Sequence, residues 1–223
     1  VERTAVTAIV FDLDGTLIDS APDIRAAVNR MLQGEGLEPL DLATVVSFVG
    51  NGLAKLVERV MAVRGIDMAG HARLTQAVLD YYAAEPADRS RPYPGLEPAL
   101  AQLLARGHRL GICTNKPEAP ARDILHRMGL APYFDALIGG DSLSLRKPDP
   151  EPLRQSFRDL GARTGLFVGD SEVDAQTAQR AGVRFLLFTE GYRKSPPGAL
   201  VHHARFSHFD ALPGLVAAAT TRS

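Results

Sequence analysis

The chain has a single cysteine, almost no net charge, no stretch long and apolar enough to cross a bilayer, and no internal repeat or low-complexity tract. Each absence excludes something. In the 223 residues, 25 basic side chains stand against 26 acidic ones, for a formal net charge of −1, so there is no broad basic field to hold nucleic acid or an anionic membrane surface. Cys113 lies inside the apolar run Leu110-Gly111-Ile112-Cys113 and has no partner for an intrachain disulfide. It reads as a small buried hydrophobe, which fits a reducing compartment. The apolar runs fall short of the roughly 18–20 residues of a membrane span, and Val1-Glu2-Arg3-Thr4 lacks the apolar character of a signal peptide. The expected location is cytoplasmic. The six histidines are scattered and suggest no metal site.

What is present is a 45% apolar fraction, enough for one sizeable core or two unequal ones. Five short runs carry much of the order: Ala8-Ile9-Val10-Phe11, Leu110-Gly111-Ile112-Cys113, Ala136-Leu137-Ile138, Leu166-Phe167-Val168 and Phe185-Leu186-Leu187-Phe188. They are nearly continuous rather than alternating, as in central parallel strands covered on both faces. Helical patterns fall between them at about 97–106, 119–128, 151–160 and 174–181, with Gly107, Gly129, Gly161 and Gly182 placed as helix stops. This alternation predicts an α/β fold built on a doubly wound, Rossmann-like parallel sheet.

From about Ser20 to Ser90 the strand signal disappears. Only helical spacing remains, as in Ile24, Ala27, Val28, Met31 and Leu32, or Leu53, Leu56, Val57, Val60 and Met61. The turn-rich Arg91-Pro92-Tyr93-Pro94-Gly95 closes this stretch. The predicted division is an α/β core of residues 1–18 and 92–223, with a smaller all-helical cap, residues 19–91, inserted after the first strand. Pro196-Pro197-Gly198 and residues 217–223 read as surface loop and terminal tail.

Two acidic clusters follow apolar runs directly. In Phe11-Asp12-Leu13-Asp14-Gly15-Thr16-Leu17, two carboxylates and a glycine stand at the strand end where open α/β sheets bind ligands. Asp12 there can attack phosphorus and split a slow hydrolysis into two easier transfers. Asp14 can give a proton to the leaving alcohol and take one from the attacking water. Gly15 permits a tight turn, N–H groups near Leu13 and Asp14 can receive phosphoryl oxygens, and Thr16 can fix the turn. The second cluster, Gly169-Asp170-Ser171-Glu172-Val173-Asp174, offers the hard oxygen ligands that suit Mg²⁺. Carboxylates converging from both strands repel unless a cation intervenes, and a metal between Asp12 and Asp170 resolves this.

Thr114-Asn115-Lys116 follows a third strand with hydroxyl, amide and N–H groups for phosphoryl oxygens, and Lys147, in Arg146-Lys147-Pro148-Asp149-Pro150, supplies a cation. Each segment alone has an ordinary reading: a strand-ending turn for Asp12 to Gly15, a loop cap before Pro117, a surface lysine. Acids at 172 and 174 also suit a helix first turn, the better reading for Glu172. The weight lies in their conjunction at the strand ends of one sheet.

In order and spacing, Asp12-x-Asp14-Gly15-Thr16, Thr114-Asn115, Lys147 and Gly169-Asp170-x-x-x-Asp174 make the chain resemble the haloacid dehalogenase superfamily of phosphotransferases along essentially its whole length. The resemblance implies Asp12 as nucleophile and metal ligand, Asp14 as acid/base whose main-chain carbonyl also binds Mg²⁺, and Thr114 and Lys147 as phosphate binders. It also implies Asp170 as the other metal carboxylate, Asp174 supporting through water, and a helical cap closing over the substrate. More narrowly, Leu17-Ile18-Asp19-Ser20-Ala21-Pro22-Asp23, Val49-Gly50-Asn51-Gly52, Thr114-Asn115-Lys116-Pro117 and Gly139-Gly140-Asp141-Ser142 look like the bacterial phosphoglycolate phosphatases. Leu13, Thr16, Asn115, Gly50, Asn51 and Gly52 are the expected substrate-binding residues. Val173 departs from the Asn common in those enzymes, and Thr189-Glu190-Gly191-Tyr192-Arg193 matches their Gly-Tyr-rich loop only in part. The implied partner is a small phosphorylated metabolite, with no nucleic acid or membrane, on a monomer or homodimer.

Overall fold

The computed structural model describes residues 7–84 and 88–220, so the expectations for residues 1–4 and 221–223 lie outside it. In chain order the elements are β1 (Ala8–Phe11), β2 (Ile18–Asp19), α1 (Ala21–Gly34), α2 (Leu42–Phe48), α3 (Leu53–Arg64) and α4 (His71–Ala84). There follow β3 (Arg91–Pro92), α5 (Leu96–Ala105), β4 (Arg109–Cys113), α6 (Glu118–Arg127), β5 (Ala136–Ile138) and α7 (Glu151–Asp159). The chain closes with β6 (Gly165–Gly169), α8 (Glu172–Ala181), β7 (Arg184–Phe188), β8 (Ala204–Phe206) and α9 (Leu212–Thr220).

Six strands form one parallel sheet in the order β5-β4-β1-β6-β7-β8. The apolar runs are nearly continuous because both faces are covered. Ile9, Phe11, Leu110, Ile112 and Val168 pack on one face with α5, α6 and α9. Ala8, Val10, Phe167, Phe185 and Leu187 pack on the other with α7 and α8. Each large side chain buried this way stabilises the fold by roughly 1.5–3 kcal/mol. Gly107, Gly129, Gly161 and Gly182 stand just past α5, α6, α7 and α8 with φ of 83°, 69°, 67° and 70°, the left-handed conformation in which glycine ends helices.

The sheet order reverses at β1, which pairs with β4 on one side and β6 on the other. The carboxyl ends of these three neighbours therefore open onto one crevice, the usual ligand position in such sheets. Above it, α1 to α4 pack around their own apolar cluster, including Val28, Leu32, Val57, Met61, Leu74 and Val78. The two chain crossings below these helices are paired as a short antiparallel ribbon, Ile18 with Pro92 and Asp19 with Arg91. The buried Asp23 carboxylate pins them by accepting from Ser90 N and Oγ at 2.8 and 2.5 Å.

Two features differ from the sequence reading. Residues 217–220 are the end of α9 rather than a tail, because Leu212, Val216 and Ala219 recur on one buried helix face. The edge strand β8 adds a sixth member to the sheet, against β7. Among the described residues no helix is long and apolar enough to cross a membrane.

Candidate active site

Asp12 is the first residue past β1, and its N–H donates to the Val168 carbonyl of β6 at 2.9 Å, so the sheet extends to the nucleophile candidate. Its side chain is buried and meets the Lys147 ammonium at 2.8 Å. Lys147, only 2% exposed, also meets Asp174 at 2.7 Å. Burial, followed by the negative charge of Asp174, pushes the Asp12 carboxyl up to about 7, against the opposing pull of Lys147. For Lys147, burial works against its charge, but Asp12 and Asp174 outweigh it and hold the ammonium above its usual range. Lys147 is thus an internal counter-ion to two carboxylates.

The loop after Asp12 turns back on itself, with Leu17 N–H donating to Leu13 O at 2.9 Å and Gly15 N–H to Ile18 O at 2.8 Å. Gly15 has φ of 85°, and a Cβ there would lie 2.7 Å from Asp170 Oδ2. Leu13 is fully buried. The Thr16 hydroxyl donates to Asp170 Oδ1 at 2.7 Å, so its side chain is committed to that carboxylate rather than facing the crevice. The Asp14 carboxylate accepts from Ser20 Oγ at 2.6 Å and from Lys116 Nζ at 3.1 and 3.3 Å.

Asp170 follows β6 and is 1% exposed. Thr16 binds one oxygen, and the Tyr192 N–H donates to the other at 2.6 Å. Burial and the charges of Asp174 and Asp12 nevertheless raise its carboxyl well above the usual range. Ser171 caps α8 in a reciprocal box with Asp174, whose Oδ2 accepts from Ser171 N and Oγ at 3.1 and 2.6 Å. Glu172 opens the same helix and accepts from Lys194 N and Ser195 N at 2.8 and 2.6 Å, in keeping with its reading as a helix first-turn acid.

Asp12, Asp170 and Asp174 each bring a carboxylate oxygen within 4.8 Å of the others, and all three are buried. Burial and the charges of neighbouring carboxylates raise the carboxyls of Asp12 and Asp170 despite the Lys147 ammonium beside Asp12. The donor set and its charge fit a hard divalent cation. The Asp14 carboxylate lies outside this group.

Beyond β4, Thr114 is buried and its Oγ1 accepts from Lys116 N at 3.2 Å. Asn115 ties three segments together: its Nδ2 donates to Lys147 O at 2.9 Å and to Gly50 O at 3.0 Å. Gly50 and Gly52 belong to the turn between α2 and α3 and, with Asp12, Asp14 and Thr114, line a cavity of about 70 Å³. Asn51 lines a wider one of about 290 Å³ that also touches Asp12, Asp14 and Asp170. Its Oδ1 accepts from Arg59 at 2.8 Å.

The side-chain contacts of three residues escape the sequence reading. Lys116 is buried between the Asp14 carboxylate and the Tyr82 hydroxyl of α4, the latter at 2.9 Å; its place in Thr114-Asn115-Lys116 was the available signal. Tyr82 gave none, since with Leu74 and Val78 it makes an ordinary apolar helix stripe. Tyr192 lay in a loop that looked divergent, yet that loop holds Asp170.

The sequence matches the haloacid dehalogenase-like hydrolases over residues 9–188, and the chain belongs to that family. It is therefore an enzyme of the hydrolase class. Among its relatives, a phosphoglycolate phosphatase of Cereibacter sphaeroides is 53% identical over 210 residues, 93% of this chain and 96% of that protein. One from Rhodobacter capsulatus is 44% identical over 211 residues, 94% of this chain and 96% of that one. A crystal structure described as a "predicted phosphoglycolate phosphatase" from Haemophilus somnus superposes with a TM-score of 0.89 at 29% identity, covering 94% of this chain and 97% of that chain.

Proposed function

We propose that the protein is a Mg²⁺-dependent phosphatase that hydrolyses 2-phosphoglycolate to glycolate and phosphate through an aspartyl-phosphate on Asp12. The observation that carries this reading is the convergence of Asp12, Asp170 and Asp174 within 4.8 Å, with Lys147 against Asp12 at 2.8 Å. The names of the relatives in two bacterial genera support the substrate, and a cavity of about 70 Å³ suits a compact one.

In the first half-reaction an Asp12 oxygen attacks phosphorus, the bond to the ester oxygen breaks, and Asp14 gives its proton to the leaving alkoxide. In the second, water attacks the acyl phosphate, Asp14 takes the water's proton, and phosphate leaves with Asp12 restored. Lys147 orients Asp12 and favours its anionic form, partly offsetting the burial and the Asp174 charge that raise its carboxyl. Thr114 and the N–H groups around Leu13 and Asp14 receive phosphoryl oxygens. Asp12, Asp170 and the Asp14 main-chain carbonyl would hold Mg²⁺, with Asp174 beside them. When bound, the ion offsets the charge between the attacking carboxylate and the dianionic phosphoryl group. Helices α1 to α4, within residues 19–91, act as a cap that excludes water during turnover. We assign the activity to the cytoplasm from the single buried thiol.

The test is phosphate release from 2-phosphoglycolate beside sugar phosphates, nucleotides and pyrophosphate, each with Mg²⁺ or excess chelator. A dominant, metal-dependent kcat/KM for 2-phosphoglycolate is expected. Metal-dependent release favouring another ester replaces the substrate, and release unaffected by chelator overturns the metal's role.

A further inference from the structure

We infer that the Lys116 ammonium is the receptor for a carboxylate on the substrate, so that the site selects small phosphate monoesters bearing an acid group close to the ester oxygen. This deepens the phosphatase reading above and rests on it.

The argument begins with the lining of the smaller cavity. Asp12, Asp14 and Thr114 stand at its floor, while the helices above contribute apolar side chains such as Ile24, Leu53, Leu56 and Val78. Among the described residues, Lys116 is the one positively charged side chain in that lining. A substrate carboxylate entering this space leaves water, and without a cation its burial is costly. Lys147 is poorly placed to serve, because Asp12 and Asp174 hold it at 2.8 and 2.7 Å and it lies outside the lining.

Lys116 differs from Lys147 in how firmly it is held. Its contacts to Asp14 measure 3.1 and 3.3 Å, longer than the roughly 2.7–2.9 Å of a tight ammonium–carboxylate bond. Two of its three contacts go to the two oxygens of the one Asp14 carboxylate, so a substrate carboxylate can take over one of these long contacts and receive that hydrogen while Asp14 keeps the other. Tyr82 OH at 2.9 Å fixes the ammonium from the cap side, so the receptor is complete only where α4 meets the core. An ester with a neutral tail of the same size offers Lys116 no anion and forfeits this contact.

The experiment compares kcat/KM for 2-phosphoglycolate with that for 2-hydroxyethyl phosphate, nearly the same size but uncharged at its tail, under saturating Mg²⁺. Wild type, Lys116→Met, Lys116→Arg and Lys194→Met are measured. Lys194 lines the wider cavity and is the rival cation. Lys116→Met should lower both rates, since Asp14 loses a neighbour, but lower the carboxylate substrate a further tenfold to a hundredfold, roughly the effect of one lost charge-assisted hydrogen bond. The extra loss should appear mainly in KM, and Lys116→Arg should recover part of the preference. Equal losses on both esters, or a preference that moves with Lys194→Met instead, overturn the inference while leaving the phosphatase reading standing. A wild type that prefers the neutral ester overturns the phosphoglycolate reading and this inference with it. Lys116→Gln, which keeps a donor toward Asp14 and Tyr82, carries the same comparison if the methionine variant does not fold.

Discussion

Tyr192 holds Asp170 with its backbone N–H at 2.6 Å while its hydroxyl reaches the foot of the helical insertion. There the hydroxyl accepts from Ser20 N and Ala21 N at 2.8 and 2.9 Å and donates to Asp19 at 2.7 Å. One residue thus links the carboxylate cluster to the point where the chain leaves the core. Tyr192→Phe keeps the backbone bond and removes the hydroxyl, leaving two buried N–H groups unpaired. We expect a loss of about 1–3 kcal/mol in urea unfolding, a fall of roughly tenfold in kcat/KM as the hinge loosens, and Mg²⁺ affinity within about threefold of wild type. A large loss of Mg²⁺ affinity would show instead that the phenol, not the N–H, orders Asp170.

Removing Lys147 leaves Asp12 and Asp174 facing each other without a counter-ion in a buried site. Breaking such a pairing costs about 3–5 kcal/mol because the remaining charges stay desolvated. Lys147→Met should therefore be markedly destabilised without metal, partly rescued by Mg²⁺, and nearly inactive under both conditions. Urea melts with and without Mg²⁺ check this; equal destabilisation in the two would mean that charge is not the cause.

Much of this was legible in the sequence where chemistry and burial coincide. The runs before Asp12 and Asp170 are continuous because their strands are covered on both faces, and the acids after them break the pattern abruptly. β8 was invisible: three residues at the sheet edge, one of them the exposed Arg205, carry too little periodicity. The face of α9 was hidden because its lower half is alanine and threonine, which read as tail. Spacing placed Thr16 and Asn115 near the strand ends but did not show what their side chains would bind. Their partners, Asp170 for one and the Gly50 and Lys147 carbonyls for the other, depend on contacts between distant segments that spacing cannot encode.

The close approach of the 191–192 loop gives a steric test. A Cβ on Gly191 would overlap the Gly15 carbonyl oxygen and the Asp170 side chain. Both neighbours are backbone or buried carboxylate, so neither can swing aside cheaply. Gly191→Ala should reduce kcat by about a hundredfold or more through displacement of the Asp170 carboxylate and the Gly15 turn, while the α1 to α4 cluster stays folded. A near-normal rate would mean that the loop can withdraw without moving Asp170.

The raised Asp12 carboxyl makes metal-free stability depend on pH in a direction opposite to an ordinary salt-bridged aspartate. Its value is 3.8 in the reference state and about 7 in the folded protein, so the fold binds this proton more tightly than the unfolded chain does. The corresponding stability is complete below about pH 4 and is lost as pH rises through about 7. Asp170 is shifted in the same direction by burial and its acidic neighbours. Asp12→Asn removes one of these charges. With chelator present, the melting temperature of Asp12→Asn should gain on wild type as pH rises from about 4 to 7. Mg²⁺ should reverse the order at neutral pH by stabilising the wild-type carboxylates. The same variant should lose turnover by more than about a thousandfold, because the amide fills the space of the carboxylate but is a poor nucleophile. Parallel metal-free melting profiles for the two proteins across this range would contradict the assignment of a buried, proton-favouring Asp12, and substantial phosphate release by the folded, non-deamidated variant would remove Asp12 as the nucleophile.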